Sequence, residues 1–397
     1  MKSTTFVFFL LILAILLWLF IEILIQRSIF KKIKIRIQVN GTRGKSSVTR
    51  LIRAGIAEAG HSVLAKTTGT MARIILPNNS ERNVIRWGKP SILEQIQILK
   101  TAISEKANAL VVECMALEPR YQYVSEVKMI RSTVAVITNV RPDHLEIMGP
   151  TLRDVTLALA SSIPYNAHLF ATRNEFPDIF EFACKERNTQ LHWIGKEDVD
   201  SIPEEMLQTF AYWEHKENLA LSLAVCEFLG IKRELAFHGM LKANPDPGAL
   251  IPLEIDFFGK NLIYLNLMAA NDSESTRMLR NVCKERYSKE RTAYLLFNCR
   301  EDRIDRSEQI AKEIASWEEI EAIFLIGKGT KYALNALNLY CKEGTKIFNW
   351  ESASAEHIFE SLLEQVSLQS YVLAVGNIAG IGLELNQYLK NRTLQKI

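Results

Sequence analysis

Residues Asn40, Gly41, Thr42, Arg43, Gly44, Lys45, Ser46 and Ser47 constrain this chain more than any other stretch. They follow an alternating apolar–polar run over residues 34–39 and precede a helix-period pattern over 48–59, closed by Gly60. That order predicts strand, glycine loop, helix. In such a loop successive backbone N–H groups point inward and cradle phosphate oxygens. Lys45 then reaches the β- and γ-phosphates of a nucleotide, and the Ser46 hydroxyl sits on magnesium or manganese. The bland alternative is a glycine-rich turn opening an ordinary α/β helix. It needs both glycines, the Lys-Ser pair and the strand–helix context to coincide without cause.

The region before the loop is unusual in two ways. Residues 4–25 are almost wholly apolar. At about 1.5 Å per residue they extend about 33 Å, enough to cross a bilayer core. The run is too long for a signal h-region and lacks a following small-residue cleavage site, so an uncleaved anchor over 1–26 is expected. From Ile23 to Ala57 there is no acidic residue, while Arg27, Lys31, Lys32, Lys34, Arg36, Arg43, Lys45, Arg50 and Arg53 are basic. The positive-inside rule places everything after the anchor in the cytoplasm, in a single-pass protein of the cell membrane. Glu22 falls near the inner interface. Arg27, Lys31 and Lys32 set topology or touch anionic membrane lipid. The rest of the chain is mildly acidic, which argues against nucleic acid as a partner. Six cysteines lie scattered without a C-x-x-C pair, the pattern of reduced thiols rather than of a disulfide or zinc framework.

Beyond the anchor, strand and helix patterns alternate. Strands are expected over 62–67, 109–114, 133–139 and 167–172, and helices over 91–106, 214–229 and 234–242. This is an α/β pattern, a largely parallel sheet with helices on both faces. A Pro/Gly cluster at 244–248 marks a boundary. After it, strands over 262–267, 292–298, 322–326 and 371–375 alternate with helices over 275–286, 304–317, 355–365 and 383–390. The expected domains are therefore the anchor (1–26), a phosphate-loop domain (27–246) and a smaller doubly wound domain (247–397). The glycine-rich run at 376–382 lacks a following acidic partner and reads as a tight strand-to-helix turn rather than a dinucleotide loop.

Two strand ends carry chemistry. Ligands of open α/β sheets bind at the carboxyl edge of the strands, where the phosphate loop also lies. Glu113 ends an apolar strand there and is placed to hold a metal ion; the alternative is a hinge carboxylate. Asp143 and His144 end another strand and offer an oxygen and a nitrogen ligand.

Together these residues resemble the Mur ligase superfamily of ATP-dependent amide ligases, which includes the cell-wall Mur enzymes and folylpolyglutamate synthase. The loop pattern G-T-x-G-K-S-S matches Gly41 to Ser47, the strand-end metal carboxylate matches Glu113, and N-x-x-x-D-H matches Asn139 to His144. The resemblance implies an adenine contact at Asn218 and a ribose contact at Asp272. It also implies a fold, a Mur-ligase-like central phosphate-loop ATPase domain with a parallel sheet followed by a Rossmann-like C-terminal domain. More narrowly, the chain resembles the ligase-subunit family of capsular poly-γ-glutamate synthases, on KTTGT at 66–70, ECMA at 113–116, DHLEIMGP at 143–150, PDPGA at 245–249, AND at 270–272, NCR at 298–300 and GNI at 376–378. The single N-terminal membrane helix before the loop belongs to the same resemblance.

Two departures from the cell-wall enzymes stand out, and the capsular family resembles the chain in both. Residues 152–162 contain no lysine where those enzymes carry one, often carbamylated, and Pro247, Gly248, Ala249 stand where they often have Pro-Gly-Arg. On this resemblance no counterpart of the UDP-sugar-binding N-terminal domain of those enzymes is expected, and a UDP-linked substrate is not expected either.

The resemblance implies an acyl-phosphate mechanism. ATP phosphorylates a carboxylate, ADP leaves, and an amine displaces phosphate. Lys45, Glu113 and His144 are the expected catalytic groups, with the metal on Ser46, Glu113 and His144. The substrates are glutamate and a growing poly-γ-glutamate chain. Lys66, Arg73 and Arg43 are candidate cations for that polyanion, the alternative being ordinary solvated basic residues. Arg300, Asp302, Arg303, Asp305 and Arg306 follow a strand of the last domain and are candidates for holding the incoming amino acid, since a guanidinium fork suits a carboxylate; the alternative is a solvated salt-bridge loop. Integral-membrane partner subunits for synthesis and export are expected. Three other readings share parts of this evidence: a folylpolyglutamate-type ligase, a membrane-anchored phosphate-loop kinase or ATPase, and a nucleotide-binding scaffold of an export complex.

Overall fold

The computed structural model describes residues 2–393 except 69–71, 87, 89, 247–249, 269, 271, 272, 303 and 343. The chain divides into two compact units, Met1–Phe210 with Glu214–Asp246, and Ala211–Trp213 with Pro247–Ile397. Asp272, Arg303 and the Pro247–Gly248–Ala249 junction lie outside the described residues.

In the first unit α1 (Lys2–Lys32) leads into β1 (Ile35–Asn40) and the phosphate-loop helix α2 (Lys45–Glu58). β2 (Val63–Lys66), the hairpin β3 (Arg73–Ile75) and β4 (Glu81–Asn83), α3 (Glu94–Ser104) and β5 (Ala109–Glu113) follow. α4 (Pro119–Tyr123) continues as a π-helical segment, Val124–Ile130. Then come β6 (Val134–Ile137), α5 (Leu145–Met148), α6 (Leu152–Ala160), β7 (His168–Thr172), α7 (Pro177–Glu186) and β8 (Gln190–Ile194). Helices α8 (Lys196–Asp200), α9 (Glu204–Gln208), α10 (Lys216–Phe228) and α11 (Arg233–Leu241) close the unit.

The sheet runs β4-β3-β2-β5-β1-β6-β7-β8. The strands from β2 to β8 in this order are parallel, and the hairpin adds an antiparallel edge. β5 and β6 flank β1, with Val39 level with Glu113 and Asn40 level with Ile137. The chain departs from β1 in both directions across the sheet, which opens a crevice at the carboxyl edge. The central strands are buried on both faces, so they read as continuous apolar runs.

Phe6–Lys32 is long and apolar enough to cross a membrane. Glu22, Gln26, Ile29 and Phe30 form its half-buried stripe, at the spacing of one helix face. α1 ends two residues before β1, so it enters at the amino edge of the sheet. The phosphate loop lies at the opposite edge, about 20 Å away along six residues of strand.

The second unit comprises β9 (Pro252–Phe257), β10 (Lys260–Asn266), α12 (Ser273–Tyr287), β11 (Thr292–Cys299), α13 (Ile304–Ile314), β12 (Ile320–Gly327), α14 (Thr330–Tyr340), β13 (Lys346–Glu351), α15 (Ala355–Gln365), β14 (Gln369–Gly376) and α16 (Ile381–Lys390). Its sheet runs β13-β12-β11-β14-β10-β9, parallel except for β9. Alternate residues feed two cores: Leu295, Phe297, Leu325 and Leu373 on one face, Tyr294, Leu296, Phe324 and Val372 on the other. Residues 376–382 form the expected tight turn, with the Asn298 amide donating to the carbonyls of Asn377 and Ala379.

The hairpin β3–β4, the edge strands β8, β9 and β13, and helix α14 are not anticipated by the sequence reading. Edge strands bury one face at most, and β4 and β13 have no fully buried residue. They carry no sustained apolar run and do not separate from loops by pattern alone.

Candidate active site

The loop between β1 and α2 is shaped by two glycines in the positive-φ region, Gly41 at φ 126° and Gly44 at φ 79°. A Cβ on Gly41 would strike Thr138, and one on Gly44 would lie 2.5 Å from Asn218 Oδ1. Side-chain-free backbone is therefore required at both positions, as a phosphate cradle needs. Asn139 braces the loop from the end of β6. Its Oδ1 accepts from Thr42 Oγ1 at 2.7 Å and from the Arg43 N–H at 3.0 Å, and its Nδ2 donates to the Arg43 carbonyl at 3.1 Å. The Lys45 ammonium folds over the loop, donating to the carbonyls of Gly41 at 2.6 Å and Thr42 at 3.3 Å. Below it Asn40 donates to Gln122 Oε1 at 2.7 Å and Ser162 Oγ at 2.9 Å, a buried network fixing where the strand ends.

Glu113 is buried at the end of β5 and faces the first turn of α2. Its Oε2 accepts from Ser46 Oγ at 2.8 Å and from the Thr68 N–H at 2.8 Å, and its Oε1 accepts from Thr68 Oγ1. Gln95, at the start of α3, donates to the Glu113 carbonyl at 3.2 Å. A serine hydroxyl and a carboxylate held in contact are hard oxygen donors of the kind magnesium and manganese take. The residues present thus fit a divalent ion beside the phosphate loop.

Asp143 and His144 are placed differently. Asp143 pairs with Arg43 at 2.8 Å. His144 has φ 45°, and its ring lies 3.2 Å from Glu146 and 3.9 Å from Asp143. Among the described residues no hydrogen bond or ion pair joins His144 to Ser46 or Glu113, and no three His, Cys, Asp or Glu side chains gather as a metal cluster. The fold brings Lys45, Ser46 and Glu113 together and leaves His144 on the adjoining loop.

Asn218 sits in the first turn of α10, buried against Gly44. Its Nδ2 donates to Glu214 Oε1 at 2.8 Å. Burial pushes the Glu214 carboxyl up to about 7, against the pull of Asn218, the His215 N–H and Ser47. Burial, with the nearby Arg141 charge, takes His215 down to about 4. Glu214 and Thr68 escaped the sequence reading as site residues. The i, i+4 spacing of Glu214 and Asn218 is a usable signal; Thr68 lies within the KTTGT motif, but its contact with Glu113 depends on how β2 and β5 align.

The candidate substrate cations divide. Lys66 is buried (1% exposed), paired with Glu94 at 2.9 Å. Burial lowers its ammonium pKa, while Glu94 opposes the shift. It presents no ammonium to solvent. Arg73 is half-buried beside Glu81, which forks onto Arg50. Arg43 is partly exposed at the loop. In the second unit Arg300 forks onto Asp302 at 2.8 and 2.6 Å and reaches Asn377 Oδ1 at 3.3 Å. All six cysteines are free, and burial raises each thiol, that of Cys114 to about 11.

Residues 253–392 match the family model for the poly-gamma-glutamate synthase CapB C-terminal domain, and residues 39–193 the Mur ligase middle domain. The chain is 37% identical over 376 residues to the PGA synthase CapB of Bacillus subtilis (strain 168), spanning 94% of this chain and 95% of that one. It is 39% identical over 351 residues to the capsule biosynthesis protein CapB of Bacillus anthracis, spanning 88% of this chain and 75% of the relative. Among solved structures, the bifunctional folylpolyglutamate synthase/dihydrofolate synthase of Yersinia pestis, complexed with AMPPNP and a manganese ion, superposes with a TM-score of 0.61 at 12% identity, over 91% of each chain. That likeness carries the fold alone.

Proposed function

This chain belongs to the CapB family of poly-γ-glutamate synthases, and on that premise we propose that it is an ATP-dependent, ADP-forming amide ligase that polymerises glutamate into poly-γ-glutamate at the membrane. The observation that carries the proposal beyond family membership is the Ser46–Glu113 contact at the mouth of a glycine-shaped phosphate loop.

In this reading the loop N–H groups and Lys45 bind the phosphates, and Asn218, oriented by Glu214, meets the base. Ser46 and Glu113 would hold a divalent ion, which would offset phosphate charge. The γ-phosphoryl group passes to the chain-end carboxylate and ADP leaves. The amine of the next glutamate then attacks the acyl carbon; the C–N bond forms as the bond to the phosphate oxygen breaks. The protein's part is positioning and charge neutralisation. Arg300, its plane set by Asp302, is proposed as the amino-acid contact in the second unit. The apolar length of α1 and the basic residues after it support a single membrane crossing with both units cytoplasmic and membrane subunits as partners.

The test is nucleotide turnover by membranes carrying the chain, with and without glutamate, with Lys45→Ala as control. Glutamate-dependent ADP release with growing acid-stable polymer, lost in the variant, is expected. ATP hydrolysis indifferent to every amino acid would replace the ligase reading with an ATPase.

A further inference from the structure

Within the first unit, α1, α3 and Met129 of the π-helical segment line a partly open cavity of about 210 Å³. Trp18 and Ile25 of α1 and Ile96 and Leu99 of α3 form apolar walls, and Glu22 and Lys100 are the charged residues lining it. Residues 4–25 of α1, the apolar run, extend about 33 Å, a little more than a bilayer's hydrocarbon core. The cavity therefore sits where the helix leaves the membrane. Glu22 is the first ionisable side chain after Lys2 and belongs to the half-buried stripe turned toward the unit.

Neither the Glu22 nor the Lys100 side chain has an ion-pair or hydrogen-bond partner among the described residues. Glu22 is half-buried at the membrane boundary and Lys100 is exposed at the rim, so both charged ends are open to a headgroup. The space is too small for a helix about 10 Å across, but it suits an acyl chain. The two lining charges are opposite and sum to zero, which matches a zwitterion.

We propose that this cavity binds a phospholipid with a primary-ammonium headgroup, its phosphate on Lys100, its ammonium on Glu22 and an acyl chain against Ile96 and Leu99. The proposal rests on the membrane reading of α1 and adds a specific lipid site to it.

The test uses the full chain in nanodiscs of phosphatidylcholine and phosphatidylglycerol doped with phosphatidylethanolamine that carries a diazirine on its acyl chain. Labelled peptides bearing Ile96 and Leu99 are expected. Unlabelled phosphatidylethanolamine should suppress the label at least fivefold more than added phosphatidylglycerol or phosphatidylcholine. Ile96→Trp, which fills the space from a half-exposed position, should abolish label on α3. Lys100→Ala and Glu22→Gln should each reduce it severalfold with unchanged circular dichroism. Label confined to α1, equal competition by all three lipids, or label surviving Ile96→Trp would overturn the site. Alkaline carbonate extraction separates the two failures. Release of the chain sinks the membrane reading and the site together, whereas a retained chain without label on α3 sinks the site alone.

Discussion

Ser46 Oγ donates to Glu113 Oε2 at 2.8 Å, tying the first turn of the phosphate-loop helix to the end of the neighbouring strand. The two residues stand 67 positions apart in the chain. They meet because β1 and β5 pair in parallel with Val39 level with Glu113.

Glu113→Gln keeps the shape of the side chain and removes its charge. It replaces an oxygen that accepts from Ser46 and Thr68 with a donor, so two donors face each other. The expected outcome is a fall of at least about 100-fold in glutamate-dependent ADP release, with the thermal midpoint lowered by a few degrees. Steady-state kinetics alongside a melting curve check it, and near-normal turnover would remove Glu113 from the chemistry.

Gly44→Ala places a methyl group 2.5 Å from Asn218 Oδ1 on a backbone that ordinary residues adopt at a cost of about 1 kcal/mol. ATP affinity should fall at least tenfold, measured with a fluorescent nucleotide, while the fold persists.

Lys66→Ala distinguishes two roles. Losing one partner of a buried pair costs about 3 kcal/mol, here moderated because Arg86 also holds Glu94 at 2.8 Å. The melting temperature should fall by several degrees while KM for the polymer stays constant. A raised KM with an unchanged melting temperature would instead put Lys66 on the substrate.

Glu126 governs a pH dependence. It is fully buried in the π-helical segment, accepting from the Ser132 N–H and hydroxyl at 2.7 and 2.8 Å. Burial pushes its carboxyl from 4.5 up to about 7, against the pull of Ser132, Arg36 and Arg187. The folded chain then holds a proton that the unfolded chain releases. Stability should fall as pH rises from about 4.5 to about 7 and level off above, a change on the order of 3 kcal/mol. In Glu126→Gln the difference between pH 5 and pH 8 should shrink accordingly. Urea titrations of the detergent-solubilised chain at both pH values measure it, and an undiminished difference would clear Glu126.

The sequence alone determined the α/β class, the apolar helix, the phosphate loop and the long central strands. Each is written in contiguous residues: a run of side chains with one period, or glycines where φ must be positive. What only the tertiary structure decided is which distant groups meet. Thr68 and Ser46 converge on Glu113 through strand register, and Lys66, a cation on paper, turns inward to Glu94 because β2 lies inside the sheet. His144 stands beside Asp143 in sequence, and the fold sets its ring 3.2 Å from Glu146 at a φ of 45°, a neighbour that residue spacing alone does not name. Local pattern reports which face a residue occupies. The partner across that face is set by strand order and register, and these depend on the packing of the whole unit.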